Sequence, residues 1–219
     1  MNCRLCNSII NETPLDDQWE DRFGKKYFIC RNCSLIQLEK KQILSHIAEK
    51  NRYMLHENSV SNKGYITYLN NIIEISVKPF LNKGNRILDF GCGPEKTLAD
   101  LLANSGYTVT TFDPYFDTGK KWRTKNYDAI TAIEVFEHLT YPALELNTLN
   151  KCLSPGAYLI IRSMLHNKSW IDFSKWWYKD DPTHITFYSK DTINYICKRW
   201  NYELIQIKDQ CEIVLKKNL

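Results

Sequence analysis

Residues 86–98, Arg-Ile-Leu-Asp-Phe-Gly-Cys-Gly-Pro-Glu-Lys-Thr-Leu, constrain the fold of this chain more than any other stretch. Ile87, Leu88 and Phe90 form a short apolar run ending in Gly91-Cys92-Gly93, and Leu98, Leu101 and Leu102 then recur at helical spacing. The order is a buried strand, a glycine turn and the start of a helix. A glycine turn at the carboxyl end of a strand lets a ligand approach the backbone closely. Taken alone, Gly-x-Gly fits an ordinary strand-to-helix turn. The downstream residues, Asp113 first among them, favour a ligand cradle.

Ile66, Leu69, Ile72, Ile73, Val77 and Phe80 predict a helix over 66–81, ahead of the strand. After the glycine turn, a helix over 95–105 stops at Gly106, and Tyr107 to Phe112 reads as a second strand. Asp113 ends that strand, 22 positions after Gly91. There a carboxylate can accept hydrogen bonds from both hydroxyls of a ribose. The competing role is a turn-initiating Asp before Pro114. Tyr127 to Ile133 is a third strand, followed by Glu134-Val135-Phe136-Glu137-His138 and a helix over 141–153. Ser154-Pro155-Gly156 reads as a turn and Ala157 to Ile161 as a strand. A helix over 192–200 comes next, then a closing antiparallel hairpin, Tyr202 to Ile207 with Cys211 to Leu215. The pattern is α/β, a Rossmann-like doubly wound sheet. Only 14 residues, 114–127, follow Asp113 before the third strand is under way, so one edge of the sheet should be shortened.

The N-terminal segment has its own signature. Cys3-x-x-Cys6 and Cys30-x-x-Cys33 are two thiol pairs 23 residues apart, a spacing that suits a tetrahedral four-cysteine zinc ribbon. Pro14 and the pair Asp16-Asp17 stand in a linking stretch too polar for a core of its own, so a metal cross-link would supply much of its stability. Two disulfides or four unrelated cysteines are the alternatives, disfavoured by a reducing compartment and by the paired spacing. A closed four-cysteine site leaves no open position for chemistry, so the zinc is expected to be structural. Ser34 to Leu38 reads as a strand and Lys40 to Lys50 as a polar helical connector. The division is residues 1–45, ribbon and connector, and residues 46–219, the α/β body.

The runs ILDFGCGPEKTL, TFDPY, YDAITAIEVFEHL and LSPGAYLIIRS, in that order, resemble class I S-adenosylmethionine-dependent methyltransferases over roughly residues 50–210. Within that class the chain is most similar to the ubiquinone-biosynthesis O-methyltransferase group. The resemblance implies S-adenosylmethionine over Asp89, Gly91 and Gly93, ribose on Asp113, and adenine or methionine near Ile133 and Glu134. Arg52 and Tyr53, just before the first helix of the body, resemble the cap that closes over the cofactor. With the segment after Asp113 so short, Pro114, Tyr115 and Phe116 must form the apolar side of the adenine pocket.

Glu134, Glu137 and His138 would share one face of a helical turn. Two carboxylates and an imidazole at a cofactor rim can bind a divalent cation, do acid–base work or simply fix the turn. The EVxEH arrangement resembles that of the ubiquinone O-methyltransferases and the small-RNA 2′-O-methyltransferases, where it implies Mg²⁺ or a similar ion. In the RNA enzymes a later histidine completes the site; the counterpart here is His184. Without a metal, His184 or His138 could take the acceptor's proton. Residues 164–188 form a long aromatic insertion with Trp170, Phe173, Trp176, Trp177, Tyr178, Phe187 and Tyr188. Such a loop either grips substrate or tucks its rings into the core.

Charge narrows the partners. Residues 1–50 carry 8 Lys+Arg against 7 Asp+Glu, and the whole chain is only +4, without the concentrated positive field of a nucleic-acid binder. No apolar run is long enough to span a membrane, and no secretory leader is apparent, so a cytoplasmic enzyme is expected. The expected reaction is methylation of a hydroxyl on a small or carrier-linked metabolite. The rivals are an RNA or nucleotide methyltransferase that reads its substrate with the ribbon, and a non-catalytic cofactor-binding module.

Overall fold

The computed structural model describes residues 1–10, 18–55 and 61–219. Pro14, Asp16 and Asp17 of the inter-cysteine stretch lie outside the described residues. The N-terminal segment forms three short strands, β1 (Gln18–Glu20), β2 (Lys26–Ile29) and β3 (Ile36–Leu38). The strands of the body are β4 (Arg86–Phe90), β5 (Thr108–Phe112), β6 (Tyr127–Ile133), β7 (Leu153–Arg162), β9 (Tyr202–Lys208) and β10 (Glu212–Lys217), with β8 (Thr186–Phe187) standing apart from them. The body strands make one six-stranded sheet in the order β5-β4-β6-β7-β10-β9. The first four run parallel, and β10 is antiparallel to both β7 and β9. From β4 the chain steps outward to β5 and then returns to the other flank of β4 as β6. That reversal is the topological switch point where open α/β sheets bind ligands, and it lies at the carboxyl ends of β4 and β6.

Strands buried on both faces explain the apolar runs. On one face Ile87, Ala129, Ile160 and Val214 pack on Leu69 and Ile72 of α2 (Lys63–Ile72) and on Leu98 and Leu102 of α3 (Thr97–Asn104). On the other, Leu88, Ile130, Leu159 and Ile213 pack on Leu146 and Leu149 of α4 (Pro142–Cys152) and on Ile193 and Ile196 of α6 (Lys190–Trp200). The helix expected over 66–81 begins earlier and widens after Ile72 into a five-residue turn, Ile73–Val77. Ser154-Pro155-Gly156 is not a free turn. Leu153 already pairs with Tyr127, and the register slips before Ala129 pairs with Tyr158, so the segment is a bulge in β7 with Gly156 at φ +76°.

β5 is the edge of the sheet. Where a helix would otherwise cover it, a short turn, Lys121–Thr124, inserts Trp122 against Phe112 and Phe90, at ring distances of 4.8 and 5.7 Å. Trp122 is 1% exposed, so one ring does the covering work of the missing helix.

The antiparallel N-terminal sheet of β1, β2 and β3 is completed by β8, contributed by the aromatic insertion. That insertion also carries α5 (Trp170–Lys175). Phe173, Tyr178, Ile185 and Phe187 pack on Tyr27, Ile36 and Leu38, so the rings mostly bind the N-terminal sheet to the body. Trp176 packs there while Trp177 remains two-thirds exposed. The connector expected over Lys40–Lys50 splits into a short turn, Lys40–Gln42, and α1 (His46–Tyr53), capped by Ser45. Arg52 and Tyr53 therefore end a helix of their own, ahead of α2.

Candidate active site

The glycine turn and the Glu134–His138 segment meet at the switch point. Gly91 stands at φ +83°, and a Cβ placed there would lie 2.4 Å from Val135 Cγ2. Its position therefore requires both the left-handed backbone and the missing side chain. Gly93, at φ +65°, faces open space. Its amide donates to Asp113 Oδ2 at 3.1 Å, while Asp113 Oδ1 accepts from the amides of Tyr115 and Phe116 at 2.8 and 3.1 Å. Asp113 is thus both a turn-former and a tie to the glycine loop. With Oδ1 filled, a single acceptor position on Oδ2 remains for a ligand hydroxyl.

Asp89 is 2% exposed; Oδ1 accepts from the Thr131 hydroxyl at 3.1 Å and Oδ2 has no partner. Burial pushes its carboxyl up to about 7, and the neighbouring Asp113 charge adds to the rise. Pro114 is exposed, and Ile133 is half-buried at the end of β6. The segment after Asp113 is clipped to the glycine loop by Lys96, whose amine lies 2.7 Å from Asp117 Oδ2.

Glu134 leaves the helical turn expected for it. Its φ is +54°, and the following turn, Phe136–His138, starts beyond it. Its carboxylate is held by the Tyr68 hydroxyl at 2.9 Å, Arg162 at 3.0 Å and the Tyr178 hydroxyl at 3.2 Å. Burial, then the nearby Glu137 charge, raises it to about 7. Tyr68 carries no motif in the sequence, Arg162 and Tyr178 stand in stretches read for other reasons, and only the fold brings the three together.

Glu137, His138 and His184 form the tighter group, each offering a ligand atom within 4.8 Å of the others. Glu137 is wholly buried, neither carboxylate oxygen has a hydrogen-bond partner of normal geometry, and burial raises its pKa. His138 Nδ1 lies 3.0 Å from the Thr183 carbonyl and His184 Nδ1 lies 2.5 Å from the Tyr178 carbonyl. Each ring donates its Nδ1–H to the backbone, leaving the Nε2 lone pair free. His138 Nε2 is 3.9 Å from Glu137 Oε1. Burial lowers both imidazoles, His184 to about 4, so both are neutral at pH 7. Neutral rings with fixed tautomers suit either metal ligation or proton acceptance.

α1 lies across this crevice. Glu49 accepts from the hydroxyls of Tyr53 and Tyr115, each at 2.7 Å, on the Asp113 bank. On the other bank Arg52 pairs with Asp181 at 2.7 Å, and the Tyr53 ring meets His138 edge-on at 5.3 Å.

At the N-terminus the four cysteine sulfurs lie within 4.8 Å of one another, with Cys3–Cys33 at 3.5 Å and Cys6–Cys30 at 3.4 Å. A zinc tetrahedron with Zn–S of about 2.3 Å puts sulfurs about 3.8 Å apart. The two turns repeat one geometry. Cys3 N bonds Ser8 O as Cys30 N bonds Leu35 O, and Asn7 N bonds Cys3 O as Ser34 N bonds Cys30 O. Asn7 and Ser34 both take positive φ. All four thiols are free.

Fold and site together define an open α/β sheet with a glycine turn at its switch point and a polar, buried corner beside that turn. A family model described as a methyltransferase domain matches residues 65–207, and the chain belongs to that methyltransferase family. No curated protein sequence matches it. Among solved structures it is similar to a SAM-dependent methyltransferase from Archaeoglobus fulgidus, with 17% identity, 75% of this chain and 99% of that one covered, and a TM-score of 0.53. It is also similar to the 1,6-didemethyltoxoflavin-N1-methyltransferase of Burkholderia thailandensis, solved with that substrate and S-adenosylhomocysteine. That match has 9% identity, 94% and 100% coverage, and a TM-score of 0.54. At these identities the likeness is one of fold. Among the described residues, no helix is long and apolar enough to cross a membrane.

Proposed function

We propose that this methyltransferase moves the methyl group of S-adenosylmethionine to a hydroxyl of a small or carrier-linked metabolite in the cytoplasm. Residues 46–219 form the catalytic unit and residues 1–45 a unit held by one structural zinc on Cys3, Cys6, Cys30 and Cys33. The observation that carries the reading is the convergence of two neutral imidazoles on the buried carboxylate of Glu137, two residues after the Val135 that packs on the glycine turn. S-adenosylmethionine supplies an electrophilic methyl, so the chain must cradle the nucleoside, align the acceptor and remove its proton. Gly91, Gly93 and Asp113 cradle, Arg52 and Tyr53 cover, and His138 or His184 accepts the proton through Nε2. The donor set of one carboxylate and two imidazoles also fits a divalent ion. Imidazole favours a first-row transition ion over Mg²⁺, which prefers oxygen ligands. Such an ion would lower the pKa of an acceptor hydroxyl. Glu134 then serves as a neighbour that orients Tyr68, Arg162 and Tyr178, outside the ligand group.

Calorimetry tests the reading directly. S-adenosylhomocysteine should bind one site per chain, and Glu137→Gln should keep that affinity within about threefold. With a panel of hydroxylated acceptors, His138→Gln and His184→Gln are made singly, and at least one should lower transfer ~100-fold or more, the low end for a lost acid–base group. Absence of binding to wild-type protein would overturn the assignment.

Asp89 adds a pH signature. Its carboxyl stays protonated up to about pH 7 in the free protein, and a cationic ligand favours the ionised form. S-adenosylmethionine binding should therefore release a proton and tighten about tenfold between pH 6 and pH 8. Asp89→Asn should flatten that slope. The same group lowers stability of the free chain as pH rises from about 4 to 7, because the unfolded carboxyl ionises first.

A further inference from the structure

We propose that the N-terminal cysteine unit is a positioning frame for Glu137, His138 and His184, acting through Arg4 and Gln37, rather than a module that recognises a partner. The proposal rests on the methyltransferase reading for its purpose, and on hydrogen bonds of this chain for its substance.

The link runs through Ile185 and Thr186, the two residues after His184. On one side they hold the turn that carries the other two members of the group. Ile185 N donates to Glu137 O at 2.8 Å, and the Thr186 hydroxyl donates to Phe136 O at 3.0 Å. On the other side they belong to the N-terminal sheet, where Gln37 pairs with Thr186 and Ile36 with Phe187. The Ile185 carbonyl accepts twice from the N-terminal unit, from Leu38 N at 2.9 Å and from the Arg4 guanidinium at 3.3 Å. Arg4 also donates to Leu38 O. One guanidinium therefore clamps β3 to the segment that carries His184.

Arg4 sits between Cys3 and Cys6, inside the first cysteine turn. Its amide donates to Gln37 Oε1 at 2.9 Å, and Gln37 Nε2 returns a bond to Asn2 O at 3.3 Å. Gln37 is 1% exposed. The second cysteine turn is anchored in parallel, with His166 Nε2 lying 3.1 Å from Ser34 O. Both guanidinium bonds are part-buried, so the clamp carries a desolvation penalty. Its guanidinium partners among the described residues are carbonyls, with no carboxylate to offset that penalty. A recognition module would turn these polar groups outward; here they are turned inward, onto one another and onto the carbonyls of Leu38 and Ile185. Meanwhile the glycine turn is bonded to the end of β5 and to Asp113, and none of these bonds involves the N-terminal sheet, so loosening the frame should disturb the cluster more than the cradle.

The test uses the full zinc-loaded chain with Arg4→Met, which keeps the aliphatic stem and loses both donors, and Arg4→Lys, which restores one. Three readouts separate the outcomes: S-adenosylhomocysteine affinity by calorimetry, cobalt(II) affinity by visible absorption, and histidine ring NMR. In Arg4→Met, S-adenosylhomocysteine should bind within about twofold of wild type. Cobalt(II) should bind about 10–100-fold more weakly, the usual cost of losing an outer support. The protected Nδ1–H signals of His138 and His184 should broaden or vanish, and Arg4→Lys should partly recover them. Ring signals unchanged in Arg4→Met would overturn the proposal. So would loss of S-adenosylhomocysteine binding in step with the rings, because the frame would then support the whole fold. If wild-type protein bound no cobalt(II), the ring signals would still decide. If it bound no S-adenosylhomocysteine, the functional reading would fail while the coupling remained measurable.

Discussion

Gly91→Ala is expected to lower stability by about 2–5 kcal/mol and to abolish binding of S-adenosylmethionine. Two effects add. An L-residue at φ +83° costs about 1–2 kcal/mol, and a Cβ only 2.4 Å from Val135 Cγ2 forces the turn apart at about 1–3 kcal/mol more. Val135 cannot retreat freely, because Phe136 behind it is fully buried and Glu134 before it already holds a positive φ. The strain therefore passes from the cradle into the reaction corner. Gly93→Ala is the control. Its φ is also positive, but nothing in the protein lies within 4 Å of the added carbon, so only the backbone cost of about 1–2 kcal/mol is expected. Denaturant titrations of both variants, paired with calorimetry, distinguish the cases. Equal stability losses would mean the Val135 contact does not matter.

Removing the N-terminal metal should have the largest effect of all. Elemental analysis is expected to find about one zinc per chain, matching the four sulfurs. Structural zinc sites contribute on the order of 10 kcal/mol to folding. Cys3, Cys30 and Cys33 belong to the same buried cluster as Leu88, Ile130, Leu159 and Ile213 of the main sheet. Loss of zinc through Cys30→Ser should therefore not melt a separate appendage. It should lower the midpoint of one cooperative transition by at least ~10 °C, the equivalent of about 3–5 kcal/mol in a chain of this size. Two separate transitions would show that the unit folds apart from the body. A zinc-free chain with an unchanged melt would remove the metal reading.

The apolar runs and the glycine turn are enough to read the parallel strands, the order of the helices and the shortened edge. Each is a local consequence of period and turn chemistry. Bulges are harder, since Ser154-Pro155-Gly156 has turn composition but is drawn into β7 by pairing across the sheet. In the reaction corner, Glu137, His138 and His184 stand out in the string as residue types able to do chemistry. Their division of labour does not. Glu134 looks equivalent to Glu137 by spacing, yet a positive φ and three donors from distant elements draw it away. The aromatic insertion could equally line a pocket or fill a core, and only packing against Tyr27, Ile36 and Leu38 decides for the core.

By itself, then, the sequence determined the class of fold, the glycine turn at Gly91 and the paired cysteine turns, because glycine, periodicity and thiol spacing act over a few residues. The tertiary structure alone decided that the cysteine unit shares a sheet with the segment after His184, and that Arg4 clamps the two together. Those contacts join residues 149 to 181 positions apart, and long-range pairing of that kind leaves no period in a sequence.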